Sequence, residues 1–127
     1  MIEETGYGYR LAYRSGPPAD AAAWLEELRR VVRPRPPFSV LLDLRGSWAF
    51  RPDTRELLSQ ALAHCRTAGM ARTAQVLDSA LTTLQAAGIA RDAGLGDPGD
   101  SGDIVRAIDA TLNPGWEEAA LAWLSAL

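Results

Sequence analysis

Phe38-Ser39-Val40-Leu41-Leu42-Asp43-Leu44 is the stretch on which the fold of this chain turns. It is apolar almost without a break, and Gly46 closes it. A strand that shows one face to water alternates apolar and polar residues. One that does neither is buried on both faces, in a sheet covered by helices. The residues before it, Arg33-Pro34-Arg35-Pro36-Pro37, cannot continue a helix, because three prolines remove backbone donors and clash with the preceding turn.

Upstream, Ala21, Trp24, Leu25, Leu28, Val31 and Val32 recur at helical spacing, opposite Glu26, Glu27, Arg29 and Arg30, which predicts a helix from about Asp20 to Val32. Ser15-Gly16-Pro17-Pro18 separates it from Thr5–Arg14, where Tyr7, Tyr9, Leu11 and Tyr13 alternate with Gly8, Arg10, Ala12 and Arg14 as in a strand with one wet face. Downstream, Pro52, Asp53 and Glu56 predict a helix capped by Asp53, with Leu57, Leu58, Ala61, Leu62, Cys65 and Ala68 inward and Gly69 at its end. Thr73–Leu77 reads as a strand. Ser79 caps a helix to about Ala93, with Leu81, Leu84, Gly88 and Ile89 inward. Gly94–Asp103 is a polar loop and Ile104–Ala110 a last strand. Asn113 and Pro114 start a closing helix that buries Trp116, Ala120, Trp123, Leu124 and Leu127.

Strands alternating with helices give right-handed crossovers and a mainly parallel sheet. The expected fold is one α/β domain over residues 1–127, with four or five strands in a mixed, mainly parallel sheet and about four helices packed on it. Val40, Leu42, Val76, Leu25, Leu28, Leu58, Leu62, Trp123 and Leu124 are expected in one core.

The 127 residues suit one domain. Apolar residues are 47% and charged residues 23%, a globular composition. Cys65 is the only cysteine and His64 the only histidine, so no disulfide framework, multi-cysteine zinc site or histidine cluster is available. All 13 basic residues are arginine, which removes Schiff-base and P-loop lysine chemistry. A net charge of −3 argues against nucleic acid or an anionic membrane as partner. No apolar run approaches the roughly 18 residues of a membrane span. The acidic start Met1-Ile2-Glu3-Glu4 does not read as a signal peptide, so a cytoplasmic location is expected.

Several motifs carry less than they spell. Gly94-Leu95-Gly96-Asp97-Pro98-Gly99 matches a dinucleotide fingerprint but follows a helix rather than a strand, and Asp97 would repel phosphate. Asp97, Asp100 and Asp103 lack the alternation and distal glutamate of a calcium loop. No metal or cofactor is expected. His64 and Cys65 are adjacent on a helix, so their side chains diverge by about 100° and cannot pair. Cys65 reads as a small core hydrophobe and His64 as a packing histidine. Tyr7, Tyr9, Tyr13, Arg10 and Arg14 read as core packing beside a wet face rather than a base-stacking surface. Asp43, at the end of a buried strand, needs backbone N–H groups or an arginine, as organiser of the next loop or as a general base.

The richest segment is Asp43-Leu44-Arg45-Gly46-Ser47-Trp48-Ala49-Phe50-Arg51-Pro52-Asp53. It lies at the carboxyl end of a central strand, where open α/β sheets put their sites. Trp48 and Phe50 either fold back onto the core or form a patch or pocket wall; without periodicity the sequence leaves both open.

Phe38–Gly46 resembles the "hhhDhRG" strand of bacterial SpoIIAA-like (STAS-like) domains. Gly69-Met70-Ala71-Arg72-Thr73-Ala74-Gln75-Val76-Leu77 is similar to their "G-(M/L)-x-R-x-A-x-V" strand. Gln85, Ile108-Asp109-Ala110 and Trp116–Leu124 resemble the following helix and the closing "A-x-x-W-L" helix. The likeness spans residues 38 to 124 and implies a four- or five-stranded sheet with helices packed against it. In the anti-sigma-factor antagonists of this fold a serine is phosphorylated at the start of the helix after the "D-h-x-G" strand. Here Asp53 stands near that place, with Thr54 the only hydroxyl beside it.

Three functions remain. The first is a non-enzymatic regulatory or protein-interaction domain that contacts a protein partner through Arg45, Trp48, Phe50, Arg51 and Asp53, constitutively rather than by a phosphoswitch. The second is a binder of a small apolar ligand under Trp48 and Phe50, as the SEC14-like members of the wider group suggest. The third is an enzyme using Asp43, Arg45 or His64, disfavoured because no nucleophile–base pair is recognisable. The oligomeric state, a homodimer included, is left open.

Overall fold

In a computed structural model of the chain, residues 1–14, 18–47, 49–96 and 104–126 are described, residues 18 and 19 by backbone alone. The strand that decides the fold, β3 (Phe38–Asp43), is buried along its whole length. It is central in a five-stranded sheet of order β1-β2-β3-β4-β5. The others are β1 (Ile2–Glu4), β2 (Gly8–Ala12), β4 (Met70–Leu77) and β5 (Val105–Asp109). β1 runs antiparallel to β2, and the other neighbours pair in parallel. The helices are α1 (Pro18–Val31), α2 (Pro52–Ala68), α3 (Ala80–Asp92) and α4 (Trp116–Ser125). Among the described residues this is an α/β fold with a mixed, mostly parallel sheet and four helices.

The two faces of the sheet bury separate cores. Tyr9, Leu11, Val40, Leu42 and Leu77 pack with Leu25 and Leu28 of α1, Leu58 and Leu62 of α2, and Ile89 of α3. The alternate residues Leu41, Ala74 and Val76 meet Trp116, Ala120 and Leu124 of α4, with Trp123 against them. The expected single core is therefore divided. Period-2 alternation sends Leu41 and Leu42 to opposite faces, and Val76, Trp123 and Leu124 belong with Leu41.

The N-terminal strand is shorter than Thr5–Arg14. Thr5 and Gly8 exchange backbone hydrogen bonds in a tight turn, and β1 precedes it. Gly8 has φ +148°, and a Cβ there would lie 2.1 Å from the Ser39 carbonyl oxygen. Only glycine lets β2 approach β3 so closely. The turn also takes Tyr7 out of the alternation: Tyr9 and Tyr13 are in the main core, whereas Tyr7 packs against the smaller one.

Three helix readings change. Arg51, not Asp53, is the N-cap of α2, because Pro52 takes the first helical position, where its missing N–H costs nothing. Asp53 instead accepts the neighbouring Thr54 amide at 3.0 Å. In α3 the buried residues are Thr82, Ala86, Ile89 and Ala90, while Leu81 is 55% and Leu84 74% exposed. α4 begins at Trp116, because Asp109 ties the preceding residues into a turn: its carboxylate accepts the Thr111 amide at 3.0 Å and its carbonyl accepts Asn113 Nδ2 at 2.9 Å. Two termini match expectation. The Ser79 hydroxyl accepts the Thr82 amide at 3.1 Å, and Gly69 closes α2 in the left-handed region at φ 119°. Asp97, Asp100 and Asp103 lie outside the described residues, as do Ser15–Pro17 and Leu127.

Candidate functional site

Asp43 ends β3 on the face covered by α4, and three arginines converge on its buried carboxylate. Arg45 binds it through both side-chain arms, Nε to Oδ1 at 3.0 Å and Nη2 to Oδ2 at 2.8 Å, and its backbone amide adds a bond to Oδ1 at 3.1 Å. Arg14 Nη2 lies 3.5 Å and Arg10 Nη2 3.6 Å from Oδ2. Burial by itself raises the Asp43 pKa; the Arg45 hydrogen bonds and the Arg14 charge outweigh it and hold the carboxyl below its ordinary range. A carboxylate so paired is a poor proton acceptor near neutral pH. It fixes the chain at the strand end, which is the organising role. The Arg45 guanidinium also lies 4.8 Å from the Trp116 ring centroid, so Asp43 and α4 hold it together.

Beyond Arg45 the loop is pinned from the neighbouring β4–α3 segment. Asp78 Oδ2 accepts the Gly46 amide at 2.8 Å. Gln85 of α3 binds both backbone groups of Phe50, accepting its amide at 2.9 Å and donating to its carbonyl at 3.3 Å. Phe50 is 4% exposed and lies in the main core. The alternative left open by the sequence is settled for this ring, which anchors the loop from inside. Trp48 lies outside the described residues.

What the pinned loop presents is a shallow cleft of about 520 Å³ lined by Gly46, Ser47, Ala49, Asp78, Ser79 and Leu81. The Ser47 hydroxyl is buried and has no hydrogen-bond partner among the described residues. Ala49 is exposed on its lining, and Arg51 and Asp53 are exposed further along the chain, Arg51 Nε standing 3.6 Å from Asp53 Oδ1. The cleft is shallow for a topological reason. Deep crevices in open α/β sheets form where the strand order reverses and adjacent loops part to opposite faces. Here β2 to β5 follow one another without reversal, and α2 and α3 pack against the same core.

Of the residues singled out from sequence, Arg51 and Asp53 are exposed, Arg45 is committed to Asp43 and Trp116, and Phe50 is interior. His64 Nε2 lies 2.8 Å from the Val32 carbonyl oxygen and joins α2 to the end of α1. It is not gathered with Asp43 or Arg45 in any contact. Cys65 is buried, and burial pushes its thiol up to about 12. Leu81 and Ser47 were missed. Leu81 shares an apolar spacing with Leu84 that suits an inward face, and a lone loop serine carries no signal. Among the described residues no group of three metal-ligating side chains occurs, and no helix is long and apolar enough to cross a membrane.

No family model, curated protein or solved structure matches the chain.

Proposed function

We propose that the chain is a non-enzymatic regulatory or protein-interaction domain of the SpoIIAA-like (STAS-like) type, which binds a protein partner through the loop from Arg45 to Asp53 and the start of α3. The observation that carries this reading is the pinned loop. Backbone groups at both ends of the loop are held by side chains of another segment, so little ordering entropy is lost on binding. Leu81 and Leu84, three residues apart on α3, supply the exposed apolar area that a contact surface needs. Arg51 adds a residue type common among binding hot spots. The groups that chemistry would use are bound elsewhere: Asp43 by arginines, His64 by a carbonyl contact, Cys65 by burial.

The SpoIIAA-like assignment rests on the order of the motifs along residues 38 to 124 together with this sheet order. The absent phosphorylatable serine favours a constitutive contact. Asp53 leaves the cap to Arg51, yet its carboxylate still sits in the first turn of α2, where negative charge is favoured.

A photo-crosslinking amino acid placed at exposed Ala49 would capture the partner in the cell of origin. Affinity of the purified partner for Arg51→Ala, Leu81→Arg and wild type then tests the surface. The expected result is tenfold or greater weakening with both variants at unchanged melting temperature, in line with a hot-spot loss of about 1.4 kcal/mol or more. Equal affinity for all three proteins overturns the reading.

A further inference from the structure

On the opposite face of the sheet, α4 covers β3 and β4 and leaves a groove of about 690 Å³ beside β5. Its apolar side is formed by Ile108 from the sheet, Trp116 and Ala119 from α4, and Leu112 and Pro114 from the turn between them, and Asn113 and Arg106 add polar groups. The turn is built rather than loose. Asp109 accepts both the amide and the hydroxyl of Thr111, and Asn113 donates to the Asp109 carbonyl. This scaffold holds Leu112 75% exposed at the rim.

One charge lines the groove, Arg106. Its guanidinium lies 4.3 Å from the Trp123 ring centroid and has no carboxylate or hydrogen-bond acceptor among the described residues. Arg72, on the same ring, is already committed to the Trp123 carbonyl oxygen at 2.7 Å. Among the described residues no aspartate or glutamate lines the groove. A stacked arginine keeps its outer donors in a planar fork, the geometry that takes a carboxylate by two hydrogen bonds. The volume falls in the range of small-molecule sites, about 300–1,000 Å³.

From the unpaired Arg106 beside these apolar walls we infer that the groove between β5 and α4 binds a small carboxylic acid with an aliphatic or aromatic body, the carboxylate on Arg106 and the body against Ile108, Leu112 and Trp116. The inference stands apart from the loop surface and does not depend on a protein partner there. It concerns a different site from a ligand pocket under Trp48 and Phe50.

The test uses the full chain and two probes of matched body, octanoate and 1-octanol, followed by amide and indole chemical shifts. Octanoate is expected to give saturable shifts confined to Arg106–Ala120, including the Trp116 indole. 1-Octanol should bind at least about tenfold more weakly, because it cannot make the charge-assisted pair. Arg106→Gln should weaken octanoate by about the same factor and leave 1-octanol unchanged. Ala119→Phe, at an exposed wall position, should abolish the shifts with both probes in a protein whose remaining spectrum is unaltered. Absence of saturable shifts, shifts spread over other surfaces, equal binding of the two probes, or full octanoate affinity in Arg106→Gln overturns the inference. Should Arg106→Gln lose its fold, the two-probe comparison on wild type and the Ala119→Phe variant still decide it.

Discussion

Asp43 shows how one side chain settles between chemistry and architecture. A carboxylate taken out of water needs compensation, and Arg45 provides a two-armed bond with Arg14 and Arg10 behind it. Its folded pKa lies below the ordinary value of 3.8, so its stabilisation is complete above that value and lost as pH falls through the folded pKa. Asp43→Asn should therefore cost about 2 kcal/mol at neutral pH, and the gap to wild type should narrow in denaturant titrations carried down through the carboxylate range. A gap that stayed constant with pH would contradict the ion-pair account. Cys65 gives a second residue-scale expectation. With its thiol pushed up to about 12 inside the main core, it should resist thiol reagents in the folded protein near pH 8 and react only once the chain is unfolded by denaturant. The need for backbone N–H groups or an arginine at Asp43 and the packing role of Cys65 were both legible in the sequence, because burial follows from periodicity. Phe50 was not legible: a loop aromatic has no neighbours at fixed spacing, and only the Gln85 clamp on its backbone turns the ring inward.

Elements were read best where one pattern dominated. β3 and the body of α2 fall where their apolar runs put them. β1 has three residues and two glutamates, too little for any periodic signal. In α3, leucines at positions 81 and 84 compete with a stripe of Thr82, Ala86, Ile89 and Ala90. That stripe is the one turned inward, and its small Ala86 and Ala90 suit close packing where Ser59 of α2 donates to the Ile89 carbonyl at 3.0 Å. The two helix starts that were misplaced both involve proline. Pro52 moves the cap of α2 back to Arg51, whereas Pro114 lies in the turn that the Trp116 amide closes onto the Asn113 carbonyl, before α4. Cap chemistry separates two substitutions that look alike in sequence. Ser79→Ala removes a bond to the Thr82 amide and should cost about 1 kcal/mol in chemical denaturation. Asp53→Ala removes a first-turn charge and an exposed local bond to the Thr54 amide, and should cost about 0.3–1 kcal/mol, at the lower end because the site is exposed. Gly8→Ala should be far worse than either, costing about 3 kcal/mol or more, since its Cβ would strike the Ser39 backbone. A Gly8→Ala protein as stable as wild type would contradict the β2–β3 register.

Across the whole molecule, the sheet separates a large core under three helices from a small one under α4 alone. The α/β class and the parallel sheet were legible from alternation of elements. The division of the core was not, because a run apolar on both faces does not say which helix covers which face. Both faces contribute, so Leu41→Ala and Leu42→Ala should each cost about 2–5 kcal/mol. Their effects should still differ in reach: α4 has 10 residues and few buried side chains, so its amides should exchange through a partial opening easier than global unfolding, and Leu41→Ala should ease that opening further. Behind the candidate site the sheet end acts as a rigid mount. Asp78 and Gln85, from the next crossover, hold the loop that follows β3, and the proposed contact surface depends on that rigidity. Hydrogen exchange at the Phe50 amide tests this most directly. The account predicts exchange slowed by about a hundredfold or more relative to a free peptide in wild type, and loss of that protection in Gln85→Ala while β3 stays protected. A Phe50 amide that exchanges at the free-peptide rate in the wild-type protein would contradict it.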